Sequence, residues 1–214
     1  MSTEHQDKPR RIRRTPEQAR AEILGAAERL LNTHAFTELR VEDLMSEAGM
    51  TRSAFYHYFA DLNSVARGLL DRIEADIMEW VEAWVSMPTG EAPAASGESA
   101  MRTVMEMGVQ IFHQHRVLLT AIYGAVHADT ALRSHWKATI FEPFLGPVTD
   151  LVTRQKQAGL VDVVDPRATV EALLMMNERV LIERVPQVPE ARLPLVADTI
   201  FQIWHRALYG RSSS

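Results

Sequence analysis

Residues Val41–Phe59, with the sequence VEDLMSEAGMTRSAFYHYF, are the most informative about the fold of this chain. Its first half places apolar side chains on one face of a short helix before Gly49, a residue type that often ends helices in the left-handed conformation. Thr51 predicts the N-cap of a further short helix, and Phe55 lies on the apolar side of that helix. Two short helices joined by a glycine-containing turn are typical of the helix-turn-helix motif.

The residues before this motif predict one more helix. The sequence TPEQ at residues 15–18 supplies an N-cap, a proline at the first helical position, and polar side chains near the positive end of the helix dipole. Apolar side chains then recur at three- and four-residue spacing as far as Asn32. Residues 15–60 are therefore expected to form a three-helix domain that contains the helix-turn-helix.

The residues after this domain predict further helices and no sheet. Asp61 is a favourable N-cap, and apolar positions continue at helical spacing to Met87, which predicts one long connecting helix. Residues 88–99 are rich in Pro, Gly, Ala and Ser and predict a flexible loop. Pro143 and Pro147 predict a kink or break in one of five further helices, whose expected ranges are 100–115, 117–127, 131–158, 166–185 and 189–209. The expected fold is all-α, with about nine helices and a larger second domain over residues 61–214.

The composition is that of an ordinary globular protein, with 214 residues of which 46% are apolar and 24% are charged. The chain has no cysteine, which excludes disulfides, thiolate zinc sites, iron–sulfur clusters and a cysteine nucleophile. No apolar run approaches the ~18 residues of a membrane helix, and the N-terminus lacks the apolar segment of a signal peptide. A soluble, cytoplasmic protein with no membrane partner is therefore expected.

Positive charge is concentrated near the N-terminus of a chain whose formal net charge is −5. Five residues between positions 8 and 14 are basic, namely Lys8, Arg10, Arg11, Arg13 and Arg14. Residues 1–14 are thus either a solvated tail or a flexible basic arm that follows DNA phosphates or lies in the minor groove. The helix-turn-helix motif that follows favours the second interpretation.

Residues from about Thr15 to Val65 resemble the DNA-binding domain of the tetracycline-repressor (TetR) family, through the patterns VEDL at 41–44 and EAGMTRSAFYHYF at 47–59. C-terminal segments also resemble the ethionamide-type repressor branch of that family: MNERVL at 176–181, VPEAR at 188–192, and IW and LYG between 203 and 210. The resemblance implies a transcriptional regulator, most often a repressor, that binds double-stranded operator DNA and is released by a small hydrophobic effector. It implies neither an enzymatic activity nor a cofactor.

The second helix of the motif carries the side chains expected to contact DNA. Short or planar polar side chains at the N-terminus of a recognition helix reach base edges in the major groove, and Thr51, Arg52 and Ser53 fit this requirement. Arg52 is expected to pair with O6 and N7 of guanine. The resemblance implies that Tyr56 contacts a phosphate or a thymine methyl group, and His57 is a further candidate. The alternative for Tyr56 and His57 is a partly solvated helix surface.

Two positions depart from the family pattern. Leu62 stands where the family usually has a lysine that holds a DNA phosphate, so one phosphate contact is missing. Arg40 stands where a threonine or serine usually caps the helix, and its side chain is expected to reach a phosphate instead. Tyr58 and Phe59 are expected to pack in the core rather than to contact DNA.

The larger domain contains large, adaptable side chains that form either an ordinary core or the wall of a ligand pocket. These are Met101, Met105, Phe112, Tyr123, Trp136, Phe141, Met175, Met176 and Trp204. In the ethionamide-type branch a hydrophobic tunnel runs through this domain, and the resemblance implies that Phe112, Trp136, Asn177 and Trp204 line it. A buried Asn177 needs a hydrogen-bond partner, which a ligand carbonyl, a backbone carbonyl or a water would supply. Leu174 replaces a second asparagine of the branch, which indicates a more apolar ligand or a different binding pose.

The last two expected helices, 166–185 and 189–209, are predicted to pair with their symmetry mates as a four-helix bundle in a homodimer. No metal site is expected, because His113 and His115 lie on different faces of one helix. Two alternatives are compatible with the same pattern. One is an all-helical interaction or scaffold protein without an effector, and the other is a regulator that activates.

Overall fold

The computed structural model describes residues 14–87 and 95–210, and within these ranges it contains helices and connections but no β-strand. The α-helices, in chain order, are α1 Pro16–Leu31, α2 Val41–Glu47, α3 Arg52–Phe55, α4 Leu62–Leu70, α5 Glu74–Val85, α6 Ala95–Gln114, α7 Arg116–Val126, α8 Thr130–Trp136, α9 Glu142–Gln157, α10 Pro166–Arg184 and α11 Leu193–Tyr209. A π-helix lies at Lys137–Phe141, and short 3-10 segments lie at Phe36–Glu38, Val185–Gln187 and Glu190–Arg192. The expected all-α fold is confirmed. The eleven α-helices of the described residues correspond to the nine expected ones, because the helix expected over 61–87 is divided into α4 and α5 and the one expected over 131–158 into α8 and α9.

The N-terminal helices begin and end where capping and glycine residues predict. At the start of α1, the Thr15 hydroxyl accepts a hydrogen bond from the Gln18 amide at 3.2 Å, and the Gln18 side chain accepts one from the Thr15 amide at 3.0 Å. Asp61 caps α4 in the same way, accepting from the Ser64 amide at 2.6 Å. Gly49 follows α2 with a φ of 63°, a conformation that costs free energy for any residue with a Cβ.

Thr51 is the N-cap residue of α3, but its side chain does not cap the helix. The Thr51 hydroxyl instead lies 3.2 Å from the Ser53 hydroxyl. The expectation that the Thr51 side chain caps α3 is therefore wrong. α3 itself is a single turn, and hydrogen-bonded turns continue it as far as Phe59. Thr51 and Ser53 are both exposed at the start of this helix.

The single connecting helix expected over residues 61–87 is divided into α4 and α5 by a turn at residues 71–73. At this turn Arg72 forms an ion pair with Glu28 of α1 at 2.8 Å and donates a hydrogen bond to the Ala21 carbonyl oxygen at 3.0 Å. Helical periodicity does not register such contacts, because they depend on a helix that is distant in the sequence. The expectation of one continuous helix is therefore wrong at this turn.

The longest expected helix contains the break that its prolines predict. The π-helix separates α8 from α9 and ends just before Pro143. Pro143 has no N–H, so the Thr139 carbonyl lacks its ordinary helical partner, and the Glu142 amide donates to the Lys137 carbonyl five residues earlier. Pro147 lies inside α9 without ending it.

The loop expected over residues 88–99 is wrong for its last five residues, because α6 already begins at Ala95. Residues 88–94 lie outside the described residues. A composition rich in alanine and serine is a weak argument against helix, since packing on neighbouring elements overrides local propensity. α6 packs along α11 and against α5.

The core of the larger domain surrounds α5, which packs against both α6 and α9, while α10 lies along α9. Trp80 of α5 is buried there, with its ring 4.5 Å from the ring of Phe144 and 6.3 Å from that of Phe112. The Trp80 indole N–H donates to the Val104 carbonyl oxygen at 2.8 Å. Gly108 makes this close approach possible, because a Cβ at that position would lie 2.2 Å from the indole ring.

α8 contacts both ends of α4 and so joins the N-terminal helices to the larger domain. Asn63, near the start of α4, donates to the Asp129 carboxylate at 2.8 Å, and Asp129 also caps α8. Just after the end of α4, the Asp71 carboxylate lies 2.9 Å from Nε2 of His135. A displacement of α8 is therefore expected to move α4 with it.

Candidate DNA-binding surface and effector site

The candidate DNA contacts within the described N-terminal helices are all exposed to solvent. They are Arg40, Thr51, Arg52, Ser53, Tyr56 and His57. Glu42, in the first turn of α2, and Arg52, the first residue of α3, form an ion pair. Arg40, the N-cap residue of α2, lies two positions before Glu42.

Glu42 is a partner of Arg52 that sequence reasoning missed. The distance from Glu42 Oε1 to Arg52 Nε is 2.5 Å, and the guanidinium carbon of Arg52 lies 6.0 Å from the centre of the Tyr56 ring. More than half of each charged side chain is exposed, so the pair contributes only about 0–1 kcal/mol to stability. The sequence gives one signal for this ion pair, an acidic residue in the first turn of α2. Acidic residues are common at that position, however, because they interact favourably with the positive end of the helix dipole.

The opposite face of α3 packs in the core, as expected for Tyr58 and Phe59. Phe55 and Phe59 are buried, with their rings stacked at 5.9 Å, and Tyr58 is half-buried against the same core. The Arg20 guanidinium of α1 lies 4.2 Å from the centre of the Phe59 ring and donates to the Tyr58 carbonyl oxygen at 2.8 Å. These contacts hold α3 against α1, so the candidate base-reading residues stand on a fixed support.

The positive charge expected near the DNA surface is only partly described. Four basic residues of the arm lie outside the described residues, namely Lys8, Arg10, Arg11 and Arg13. Arg14 is described and pairs with Glu22 of α1, with 2.6 Å between Arg14 Nε and Glu22 Oε2, so its charge is partly compensated within the chain. Leu62, which replaces the usual lysine, is half-buried at the start of α4 and offers no charge to a phosphate.

Most of the candidate effector contacts lie in the interior of the larger domain. The buried ones, each at most 6% exposed, are Met101, Met105, Phe112, Trp136, Phe141, Asn177 and Trp204. Tyr123 and Met176 are half-buried against the same core. The expectation that Met175 faces the interior is wrong, because 54% of it is exposed. Met175 lies on a different side of α10 from Asn177. The residues just before Asn177 are all apolar, so hydrophobic periodicity could not show which of them faces the interior.

Asn177 has a side-chain partner inside the protein. The Trp204 indole N–H donates to the Asn177 Oδ1 atom at 2.9 Å, and both side chains are buried. The Trp204 ring lies 4.7 Å from the ring of Trp84, which sequence reasoning placed only among the apolar positions of the connecting helix. We call these three residues of α5, α10 and α11 the tryptophan cluster.

The buried Trp136 of α8 contacts a second group of polar and aromatic side chains, which extends to the surface. Its indole N–H donates to the Glu178 carboxylate at 2.8 Å, and its ring lies 5.2 Å from the ring of Tyr123. Arg179 donates to the Tyr123 hydroxyl at 3.4 Å, and this hydrogen bond together with nearby Glu183 raises the pKa of Arg179. Glu178 was missed because a carboxylate on a helix more often faces solvent.

Residues 101–210, more than half of the chain, match the family described as "Transcriptional regulator EthR, C-terminal domain". Residues 23–62 match the family described as "Bacterial regulatory proteins, tetR family". The chain belongs to the TetR family of transcriptional regulators. Its C-terminal domain is of the EthR type, so the family expected from the motif and from the C-terminal segments is confirmed.

This TetR-family regulator is similar to the HTH-type transcriptional regulator EthR of Mycobacterium tuberculosis, with 29% identity over 198 residues that cover 89% of this chain and 87% of the relative. EthR of Mycolicibacterium smegmatis is 27% identical, and the match covers 98% of this chain and 97% of the relative. Among solved structures, FadR from Bacillus subtilis in complex with stearoyl-CoA has a TM-score of 0.68 at 13% identity, covering 87% of this chain and 98% of that chain. PfmR from Thermus thermophilus has a TM-score of 0.63 at 18% identity, covering 84% and 97%. These two structures share the fold of the TetR-family regulator.

The families and relatives that the TetR-family regulator matches are transcriptional regulators, which are not enzymes. Within residues 14–87 and 95–210, no three His, Asp or Glu side chains are grouped so that they could hold a metal ion. His115, one of the histidines considered as a ligand, instead lies 2.7 Å from the Asp76 carboxylate. In the same part of the chain, no helix has both the length and the apolar character needed to cross a membrane.

Proposed function

We propose that this TetR-family regulator is a cytoplasmic repressor that a small hydrophobic effector releases from its operator DNA. The observation that carries the proposal is the tryptophan cluster, in which a buried asparagine amide and two neighbouring indoles meet in an otherwise apolar interior. Small-molecule sites are usually apolar and contain a few placed polar groups of this kind. In this proposal residues 15–60 bind DNA, and residues 61–214 bind the effector and dimerise.

In the proposed DNA complex, α3 enters the major groove with its N-terminus first. Arg52 leaves Glu42 and pairs with O6 and N7 of a guanine, a contact worth about 1–3 kcal/mol of discrimination between bases. The exposed Tyr56 and Arg40 side chains contact the flanking backbone, and the basic arm over residues 1–14 adds phosphate contacts that are independent of sequence. Thr51, Ser53 and His57 complete the contact surface.

The proposed effector contacts are the buried candidates of the larger domain, with the half-buried Tyr123 at their edge and without the exposed Met175. These contacts touch the elements that hold the DNA-binding helices. Trp84 lies on α5, which follows α4, and Trp136 lies on α8, which contacts both ends of α4. An effector that separates these elements therefore changes the orientation of α4. A hundredfold loss of DNA affinity requires the effector to favour the incompetent state by about 2.7 kcal/mol.

The proposed homodimer forms through α10 and α11, which carry three of the large apolar side chains that are exposed in the single chain. These are Met175, Leu195 and Ile203, which are 54%, 63% and 41% exposed. Leu195 and Ile203 are eight residues apart on α11, and that spacing places both on one face of the helix. Pairing of these faces in a dimer sets the separation of the two recognition helices, which must be about 34–36 Å to fit successive major grooves.

The DNA-binding part of the proposal is tested with the full chain and a labelled DNA fragment from upstream of its own gene, by fluorescence anisotropy. Arg52→Ala is expected to lower the affinity for this fragment about tenfold and to change the affinity for random DNA much less, because a base contact carries discrimination. Arg154→Ala, which removes an exposed arginine from α9, is the matched control and is expected to change neither affinity. Equal losses on both DNAs would contradict the role of Arg52.

The effector part is tested by thermal unfolding of the full chain with hydrophobic compounds that carry acyl, aromatic or amide groups. A compound at 100 times its dissociation constant adds about 2.7 kcal/mol of stability, which is a clear rise in melting temperature. A compound that stabilises the chain and also releases the DNA fragment supports the proposal. Stabilisation by DNA but by no compound would contradict it and favour a domain that only dimerises or binds a protein.

A further inference from the structure

An open groove lies on the surface of the protein, between the end of α1 and the outer face of α7. Its volume is about 510 Å³, and the 3-10 segment Phe36–Glu38 and Pro186 complete its walls. Apolar side chains make up most of the lining, among them Leu31, Phe36, Val117 and Ala121. Both the N-terminal helices and the larger domain thus contribute to this groove, which is separate from the tryptophan cluster in the interior.

Small residues keep the groove open. Ala35, Ala121 and Gly124 all line it, and a Cβ at Gly124 would meet no atom within 4 Å. Val117, at the first turn of α7, remains 37% exposed in the wall. A ligand that fills the groove removes such apolar surface from water, which favours binding of an apolar chain.

One end of the groove carries a positive charge. Arg116 lines the groove and also a neighbouring depression of about 280 Å³, which contains Arg72 and Glu28. Arg72 and Glu28 compensate each other, with 2.8 Å between Nη1 and Oε1. Arg116 donates to the His113 carbonyl oxygen at 2.8 Å and forms no ion pair with any of the described residues. The groove therefore combines apolar walls with one uncompensated positive charge at its end.

We infer that this groove binds small amphipathic molecules that have one alkyl chain and one anionic head group, such as medium-chain carboxylates. The carboxylate pairs with the Arg116 guanidinium, whose planar fork of N–H donors matches the two carboxylate oxygens. The alkyl chain lies along the apolar wall that Leu31, Phe36 and Ala121 form. The inference does not rest on the proposed effector site, because no residue of that site lines the groove.

The charge of the head group distinguishes the groove from the interior. An ionised carboxylate in an apolar interior pays a large desolvation cost, whereas at the end of an open groove it keeps part of its hydration. Arg116 is exposed, so a neutral head group leaves it solvated and gains nothing from it. Carboxylates are therefore expected in the groove, and neutral hydrophobic molecules have no such preference for it.

The test compares three molecules with the same alkyl chain and different head groups: decanoate, decanamide and decylammonium. Isothermal titration of the full chain measures their affinities. We expect decanoate to bind about threefold to fivefold more tightly than decanamide at low salt, as an exposed ion pair allows, and decylammonium to bind more weakly than both. The advantage of decanoate should shrink as the salt concentration rises.

Two pairs of variants separate the head-group contact from the apolar wall. Arg116→Ala is expected to remove the advantage of decanoate over decanamide, and Arg154→Ala, at an exposed arginine of α9, should keep it. Thr120→Trp places a large side chain in the groove and is expected to weaken decanoate binding at least about tenfold. Thr103→Trp, at an exposed threonine of α6 that does not line the groove, is the control for that change.

A decanoate analogue with a diazirine in its chain locates the ligand on the unaltered protein. After irradiation, mass spectrometry of peptides should find the label within residues 31–37 or 116–124. The inference is overturned if decanoate does not bind, if it binds no more tightly than decanamide, if Thr120→Trp leaves its affinity unchanged, or if the label lies on the interior residues of α10 and α11. Each of these results leaves the proposed effector site to its own test with neutral compounds and DNA.

Discussion

Replacing Gly108 with alanine tests the packing of α5 against α6, on which the interior of the larger domain depends. The added Cβ would lie 2.2 Å from Cζ2 and 2.7 Å from Cε2 of Trp80, far inside contact distance. Trp80 must then move, which costs about 1–3 kcal/mol of overpacking strain and weakens its hydrogen bond to Val104, worth about 0.5–1.5 kcal/mol. Alanine regains up to ~1 kcal/mol of helix propensity over glycine. We therefore expect Gly108→Ala to lower the free energy of unfolding by about 1–3 kcal/mol.

Urea unfolding followed by circular dichroism measures this change. Gly124→Ala on α7 is the matched control, because nothing lies within 4 Å of the position of its Cβ, and it is expected to raise the free energy of unfolding by up to ~1 kcal/mol. Trp80→Phe removes the outer part of the indole that the new Cβ would meet, so Gly108→Ala should cost at least ~1 kcal/mol less in that background. A Gly108→Ala protein as stable as the wild type, or an equal cost in both backgrounds, would refute the packing argument.

Three further predictions concern the DNA-binding surface and the C-terminal helix. Glu42→Gln is expected to raise DNA affinity by up to about fivefold at low salt and much less at high salt, because Arg52 no longer has to leave a carboxylate. Anisotropy titrations at several salt concentrations measure this change, and a lower affinity would contradict the prediction. Removing residues 1–13 takes away four basic side chains and should lower the affinity for specific and random DNA alike. The slope of log K against log salt should fall by about 0.9 for each phosphate that the arm no longer neutralises. An unchanged slope would show that the arm does not contact DNA. Burial raises the pKa of the Tyr209 hydroxyl above its usual 10.0, so its contribution to stability is present below about pH 10 and is lost as the pH rises further. Above that pH, Tyr209→Phe should therefore lose less stability than the wild type. Parallel losses of the two proteins in alkaline unfolding curves would contradict this prediction.

Local sequence signals predicted the ends of the N-terminal helices well, because those ends depend on neighbouring residues. The N-caps Thr15 and Asp61 and the left-handed Gly49 are read from a few positions each, and the structure has all of them. The break before Pro143 was predictable for the same reason, since a missing N–H acts within one turn.

The features that sequence reasoning missed depend on residues that are distant in the chain. The turn after α4 is held by the contact of Arg72 with Glu28, forty-four residues earlier. The contact between the Trp84 and Trp204 rings is visible only once their buried neighbours are known, because a tryptophan at an apolar helical position fits an ordinary core equally well. Met175 and Asn177 lie in one apolar run, so hydrophobicity alone did not show that only Asn177 faces the interior.

Measuring the coupling between effector and operator DNA shows directly whether the chain is an effector-controlled regulator. The full chain is titrated with the labelled upstream fragment in the absence and presence of a compound that stabilises it, and then with that compound in the absence and presence of the fragment. Linkage requires the compound to weaken DNA binding by the same factor by which DNA weakens binding of the compound. An effector-controlled repressor is expected to give equal factors of about a hundred, equivalent to about 2.7 kcal/mol of coupling. A compound that binds the interior while both affinities stay unchanged would contradict an effector-controlled regulator.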